Sequence, residues 1–419
     1  MDRAQDDFDF FPPQDEHDVP LSARWAGVTD DDILNAGLGG LSPHMREVVR
    51  YTFACLVMAA TVDKWVSFSL NRSFYGPWCK FYEGRHFSYA NHRQVMEILD
   101  AAGLIILEKQ KPFGFDWQSR MRASQKLLAL AQSWGQILPS PGRLICLKGE
   151  KGKKKKASLI VYEETEETRR MRIQMEAVNE SIASVVIDAP RDVLDMSAPI
   201  ARVGKSIVVP SRRTLVRIFS ETFQRGGRLY RGFWQSLPGE VRALLLLDGE
   251  EVAEPDYRQI HAQLLYALLD RSLVGDAYTL EGIDRRVGKI CFQILLNSQS
   301  RDGAIAALVK EVYALDDQAL ASGFGKAEAA VVINAMKKRH ARVRSAFHKG
   351  IGLTLQFIDS ELMLAVIERC RAVGIVGLPV HDSLIVKRCH LAKVEEIMEE
   401  ELQRMIGKLR ARQFTCGWP

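Results

Sequence analysis

The sequence predicts an α+β protein of two or three domains. Three observations carry this: a length of 419 residues, long stretches of helical periodicity, and short apolar runs that come in hairpins rather than alternating with helices. Helical spacing fills much of residues 30–70, with Ser42-Pro43 as a start signal. It returns at 93–103, where Gly103 ends the helix and Leu104–Glu108 begins a strand. Glu163–Ile182 is charged and helical, with Met171, Met175 and Val178 on one side. Hairpins are expected at Leu144–Leu147 with Leu159–Tyr162, around Asp248-Gly249, and at Val376–Val380 with Leu384–Val386.

Composition narrows the class. The hydrophobic fraction is 47%, ordinary for a globular protein. No apolar run approaches the roughly 18–20 residues of a membrane span, and the acidic first residues do not read as a signal peptide. No membrane association and a cytoplasmic location are therefore expected. The seven cysteines are scattered without a CxxC pair, which argues against a disulfide framework or a zinc site. The net charge of +5 is informative only through its distribution.

Four domains or segments are expected: a disordered acidic tail at 1–22, a helical, winged-helix-like domain at 23–143, a Lys-rich hairpin with a thumb-like helix at 144–210, and the chemical domain at 211–419. In the tail, Gln5–Phe10 loosely matches a sliding-clamp peptide, and an unengaged tail is the alternative. The loop KGEKGKKKKA holds Lys153, Lys154, Lys155 and Lys156. It reads either as a solvated loop or as a flap on nucleic-acid phosphates.

Four segments in the second half carry the chemistry. Gly226–Pro238, GGRLYRGFWQSLP, sets Arg228 in a glycine turn where a guanidinium approaches phosphates or a minor groove. Leu244–Leu269 runs strand, turn, Asp256, helix, which exposes a carboxylate on a fixed backbone. In Asp284–Ser300, Arg285, Lys289 and Phe292 recur at helical spacing, with Asn297 two turns beyond Lys289. Gly374–Lys387 holds His381-Asp382-Ser383 at a hairpin tip.

In this order the segments resemble the family A polymerases, the DNA polymerase I-like enzymes and their relatives the single-subunit phage RNA polymerases. GGRLYRGFWQSLP is similar to TGRLSS…NLQNIP. DYRQIHAQLLYALL resembles motif A, DYSQIELR. Arg285-x3-Lys289-x7-Asn297 is similar to motif B, RxxxKxxxFxxYG. LPVHDSLIV resembles motif C, and Leu355-Gln356 with Asp359–Ile367 looks like the helix before it. The likeness covers about residues 220–390.

The resemblance implies a right-hand palm on an antiparallel sheet with reduced helical fingers. It implies template-directed nucleotidyl transfer with Asp256 and Asp382 holding two Mg²⁺ ions, Mn²⁺ being the alternative. Arg285 and Lys289 would hold the triphosphate. His261, Phe292, Asn297 and the Tyr257 main chain would face the nucleotide. Arg228, Gln235 and Gln356 would contact the primer–template, and His381 would support the primer end. Partners would be primer–template DNA or RNA and nucleoside triphosphates. His261 stands where the DNA enzymes carry Glu, and Asn297-Ser298 where they carry Tyr-Gly, so the sugar-facing positions have changed. The reading favours a DNA-dependent DNA polymerase without proofreading. An RNA polymerase or primase-polymerase, or a non-catalytic nucleic-acid-binding replication protein, stands as the alternative.

Overall fold

The computed structural model describes residues 18–23, 25–72, 75, 86–109, 119–139, 143–150, 159–198, 201–204, 206–315 and 317–412. The fold is α+β, with helices beside small, largely antiparallel sheets. Two compact units are formed: Met1–Ile218, Leu229–Ala253 and Val386–Arg388 make the first; Phe219–Arg228, Glu254–Ile385 and Cys389–Pro419 make the second.

The first unit is built around the helix Pro43–Ala60. Ser42 precedes it and Pro43 opens it, a start that uses the proline where its missing N–H is not needed. Tyr51, Phe53, Ala54 and Cys55 are fully buried there, so the helix is apolar around most of its girth. Helix Tyr89–Ala101 packs against it and ends as expected: Gly103 takes φ 65°, Leu104 N–H donates to the Leu99 carbonyl and Gly103 N–H to that of Asp100. Strand Ile105–Glu108 follows and pairs antiparallel with Arg120–Ala123.

Two boundaries differ from expectation. Residues 18–22 are not tail: Val19–Pro20 pairs parallel with Val66–Ser67, and Val19 and Leu21 are buried. Apolar side chains able to join a sheet outweigh the acidic surroundings. The tail residues 1–17, with the clamp-like segment, lie outside the described residues. Nor do 23–143 and 144–210 separate. Cys146, Leu159 and Val209 share one hydrophobic core with Trp25, Phe53 and Leu127, and a domain boundary cannot cut a shared core. Strands Ile145–Lys148 and Leu159–Ile160 pair antiparallel, as the sequence predicts, and Lys153–Lys156 lie outside the described residues. The expected thumb-like helix is Glu166–Ala183. Its buried side is Met171, Met175, Val178 and Ile182, and Asn179 exchanges hydrogen bonds with the Leu215 backbone. In the same unit Leu246–Leu247 and Glu250–Ala253 form a hairpin whose turn, Asp248-Gly249, has φ of 50° and 80°. Positive φ at both positions marks a type I′ turn.

The second unit is mostly helical. Ile260–Leu268 packs against Gly352–Ala372 and Leu391–Arg410. Arg285–Asn297 packs against Arg301–Tyr313, Lys326–Arg339 and Gly352–Ala372. A short hairpin, Leu378–Val380 with the start of Ser383–Lys387, lies in this unit. Among the described residues no helix is long and apolar enough to cross a membrane.

Candidate active site

Asp256 and Asp382, 126 positions apart in sequence by subtraction of their numbers, lie on backbone segments joined by one antiparallel bridge. Asp256 stands opposite Ser383, the neighbour of Asp382. Tyr257 N–H donates to the Asp382 carbonyl at 3.3 Å, and Leu384 N–H donates to the Pro255 carbonyl at 3.2 Å. These two bonds flank Asp256 and Ser383, so the pair is of the non-hydrogen-bonded kind, with Cα atoms about 4.5 Å apart. Pro255 has no N–H and serves only as acceptor here, which suits a bridge one pair long.

The other carboxylate comes from the hairpin tip. His381 and Asp382 are the two turn residues between Val380 and Ser383. His381 has φ 57° while Asp382 is not among the positive-φ residues. Histidine tolerates this region better than a β-branched residue. Ser383 Oγ closes the tip by donating to Glu254 Oε1 at 2.7 Å and lies 3.0 Å from the Val380 carbonyl. Tyr257 anchors the other side, its hydroxyl donating to the Met398 carbonyl at 2.7 Å. Asp256 is exposed and Asp382 half-buried. Among the described residues neither is ion-paired to a lysine or arginine.

The helix Arg285–Asn297 lies in the same unit. Arg285 and Lys289 are exposed on its first turns. Lys289 has no carboxylate partner among the described residues. Residues 274–279 run over this helix as a strap. Gly288 permits the approach: a Cβ there would meet the Tyr278 carbonyl oxygen at 2.0 Å. The strap is pinned by three more residues. Ala277 N–H donates to Gln259 Oε1 at 2.7 Å, Arg339 donates to the Val274 and Asp276 carbonyls, and His340 Nε2 lies 2.8 Å from the Ala277 carbonyl. His340 Nδ1 is 3.0 Å from the Tyr266 hydroxyl, which fits an Nε2–H tautomer in which Nδ1 accepts. Burial lowers the pKa of His340, keeping it neutral for that role.

Tyr278 is the side chain the strap delivers. Burial pushes its phenol up to about 12; Gln293 hydrogen-bonds it, and it feels the charges of Asp382, Arg285 and Asp276. The phenol is therefore within electrostatic reach of both the hairpin carboxylate and the helix cation.

Several expected site residues have other duties. Phe292 is fully buried, its ring centroid 4.8 Å from that of His340 and 5.9 Å from that of Phe347, so it does not face a nucleotide. Residues three or four apart are neighbours around a helix but do not share one azimuth. The buried side runs through Gly288, Cys291 and Leu295, and Phe292 falls within it while Arg285 and Lys289 sit at its edge.

Arg228 is also turned inward. Its Nε donates to Asp359 Oδ1 at 3.0 Å and its second terminal nitrogen to Asp359 Oδ2. His261 Nε2 lies 2.7 Å from Asp359 Oδ2 and 3.1 Å from Arg228. All three are nearly inaccessible. Burial alone would raise the Asp359 carboxyl, but Arg228 and His261 outweigh it and hold the pKa below its ordinary value. So Arg228 is a buried ion-pair partner rather than a groove contact, and His261 is its neighbour rather than an open wall. Gln235, in the first unit, is buried, its Oε1 accepting from Gly232 N–H and its amide donating to the Leu229 carbonyl; this closes a turn. The Tyr257 N–H is spent on the hairpin. Asn297 is exposed and donates to the Gln293 carbonyl, with Gly352 close against it: a Cβ there would meet Asn297 Oδ1 at 1.9 Å. Gln356 is half-buried on Gly352–Ala372.

Sequence reasoning missed Asp276, Tyr278, Gln293 and Asp359. A signal existed for the last, since Asp359 directly follows the apolar pair Phe357-Ile358 in a helical stretch, and a carboxylate drawn into a core needs a buried partner. Asp276-Ala277-Tyr278-Thr279 carries an Asx-turn signal, but nothing local says what such a turn faces.

Among the described residues no group of three or more His, Cys, Asp or Glu side chains gathers to hold a metal. Comparison with known proteins finds no matching family model and no matching curated protein.

Proposed function

We propose that this chain is a DNA-dependent DNA polymerase of the family A type, lacking proofreading, that transfers nucleotides at Asp256 and Asp382. The observation that carries the reading is the Asp256–Ser383 bridge, which sets the Asp256 backbone beside that of the residue following Asp382. In this reading the second unit holds the palm and reduced fingers, and the helix-and-hairpin Tyr89–Ala123 of the first is winged-helix-like.

The donor set fits hard divalent cations. Two carboxylates without a competing cation suit Mg²⁺, which takes one or two protein carboxylates and completes its shell with water and substrate phosphate. The chemistry that two bound Mg²⁺ ions supply, with Mn²⁺ as the alternative, is activation of a primer 3′-hydroxyl and neutralisation of the triphosphate. Arg285 and Lys289 bind the β- and γ-phosphate oxygens, the guanidinium as a fork and the ammonium as a point charge. Lys289 Nζ holds a proton for the departing pyrophosphate. His381, at the hairpin tip, supports the primer end, and Asn297 and Gln356 line the approach to the nascent pair.

Primer extension with deoxynucleotides and, separately, ribonucleotides, with and without a primer, tests this. Template-dependent deoxynucleotide addition to a primer is expected, and Asp382→Ala should remove it while leaving duplex binding intact. Addition of ribonucleotides alone would make the chain an RNA polymerase; synthesis that survives Asp382→Ala would refute the site.

A further inference from the structure

Arg285 is not a loose surface arginine. Its Nε and one terminal nitrogen both donate to Asp276 Oδ2, at 3.1 and 2.7 Å, and its guanidinium carbon lies 5.3 Å from the centroid of the Tyr278 ring. Asp276 is itself fixed. Its Oδ1 accepts from the Tyr278 and Thr279 N–H groups at 2.8 and 3.0 Å and from the Thr279 hydroxyl at 3.1 Å. One carboxylate oxygen thus folds the strap and the other grips the arginine. The guanidinium has five N–H donors. Two go to Asp276, and three remain on a side chain that is 57% exposed.

We propose that Asp276 is a positioning residue, which with Tyr278 holds Arg285 in the single rotamer that presents its remaining donors to the substrate triphosphate. This rests on the polymerase reading for the identity of the substrate. The physical gain is entropic. A free arginine must give up rotamer freedom when it grips a phosphate; here that order is already built in by the strap. Asp276 also carries a negative charge, which opposes phosphate. At an exposed pair that Coulomb term is screened, so ordering dominates. Asp276 touches no reacting atom and acts only through Arg285.

The test is binding of inorganic tripolyphosphate to the full chain with Mg²⁺, by calorimetry. Asp276→Asn keeps the oxygen that folds the turn and removes the charged grip; Asp276→Ser, which also caps such a turn, serves if the first variant fails to fold. Weakening of about two- to five-fold is expected for Asp276→Asn, and about tenfold for Arg285→Gln. The double variant should bind no more weakly than Arg285→Gln alone, because without Arg285 there is nothing left to position. Tighter or unchanged binding by Asp276→Asn, a further loss in the double variant, or wild-type binding by Arg285→Gln would each overturn the proposal. The polymerase reading fails separately: triphosphate binding without primer extension would sink it and leave the role of Asp276 standing. In extension assays the same variant should raise the nucleotide KM and leave kcat within about twofold, a split that a merely structural defect would not produce.

Discussion

At the residue scale, burial separates what each charged or aromatic side chain does. Arg228 and Asp359 are hydrogen-bonded partners with almost no exposure. Removing one leaves the other charged and buried, so Arg228→Met should cost about 3–5 kcal/mol in chemical denaturation. The double replacement Arg228→Met with Asp359→Leu should recover most of that loss. If Arg228 were instead a duplex contact, Arg228→Met would weaken DNA binding and leave stability nearly untouched. Phe292→Ala should cost about 3–5 kcal/mol as a core cavity, with no change in nucleotide discrimination beyond that loss of fold. The local placement of Asp256, Asp382, Arg285 and Lys289 was legible because each stands at a strand end, a turn or an exposed helix edge, where the local pattern fixes its position. Arg228 and His261 misled because their partner, Asp359, lies 131 and 98 residues away. No local pattern carries a pairing over that distance.

At the element scale, close approach decides the geometry. The strap and the helix Arg285–Asn297 touch at Gly288, where a Cβ and the Tyr278 carbonyl cannot share the space. Gly288→Ala must push the strap outward. A stability cost of about 1–3 kcal/mol is expected, together with a drop in synthesis of at least about tenfold, since the strap carries Tyr278 and steadies Arg285. Thermal denaturation and primer extension on the same preparation check both. In the first unit, His92 ties helix Tyr89–Ala101 to Tyr51, its Nε2 lying 3.0 Å from the Tyr51 hydroxyl and its Nδ1 2.7 Å from the Ser88 carbonyl. Burial lowers its pKa to about 4, below the roughly 6.5 of an unfolded histidine. A lowered pKa means that the unfolded chain binds the proton more readily. The stability this group contributes is therefore whole above pH 6.5 and is lost as pH falls toward 4, at up to about 1.4 kcal/mol per pH unit. His92→Gln should flatten that part of the melting-temperature profile. Hairpins, caps and helix ends such as Gly103 were readable because each has a local chemical signature. The strap was not, because its pins come from Gln259, before helix Ile260–Leu268, and from Arg339 and His340, at the end of helix Lys326–Arg339, both distant in sequence.

At the scale of the whole molecule, helical periodicity and hairpin-like apolar runs pointed correctly to α+β, but the boundaries followed core packing rather than the charge and proline breaks visible in the chain. Leu159 and Val209 belong with Trp25 and Phe53, a relation that appears only once the chain has folded. The lysine run 153–156 enters through electrostatics alone. If it lies on duplex phosphates, neutralising all four lysines should reduce the slope of log affinity against log salt by up to about 3.6, at roughly 0.9 for each phosphate that a lysine neutralises. An unchanged slope would assign those lysines to solvent. In the proposed reading Asp256 and Asp382 act as one unit. Template-dependent extension of a DNA primer by Asp256→Asn, Asp382→Asn and the double variant measures it directly. Each single change should lower activity by about three orders of magnitude or more, and the double variant should be no worse than either single one. Effects that multiply, or synthesis that persists in either single variant, would contradict it.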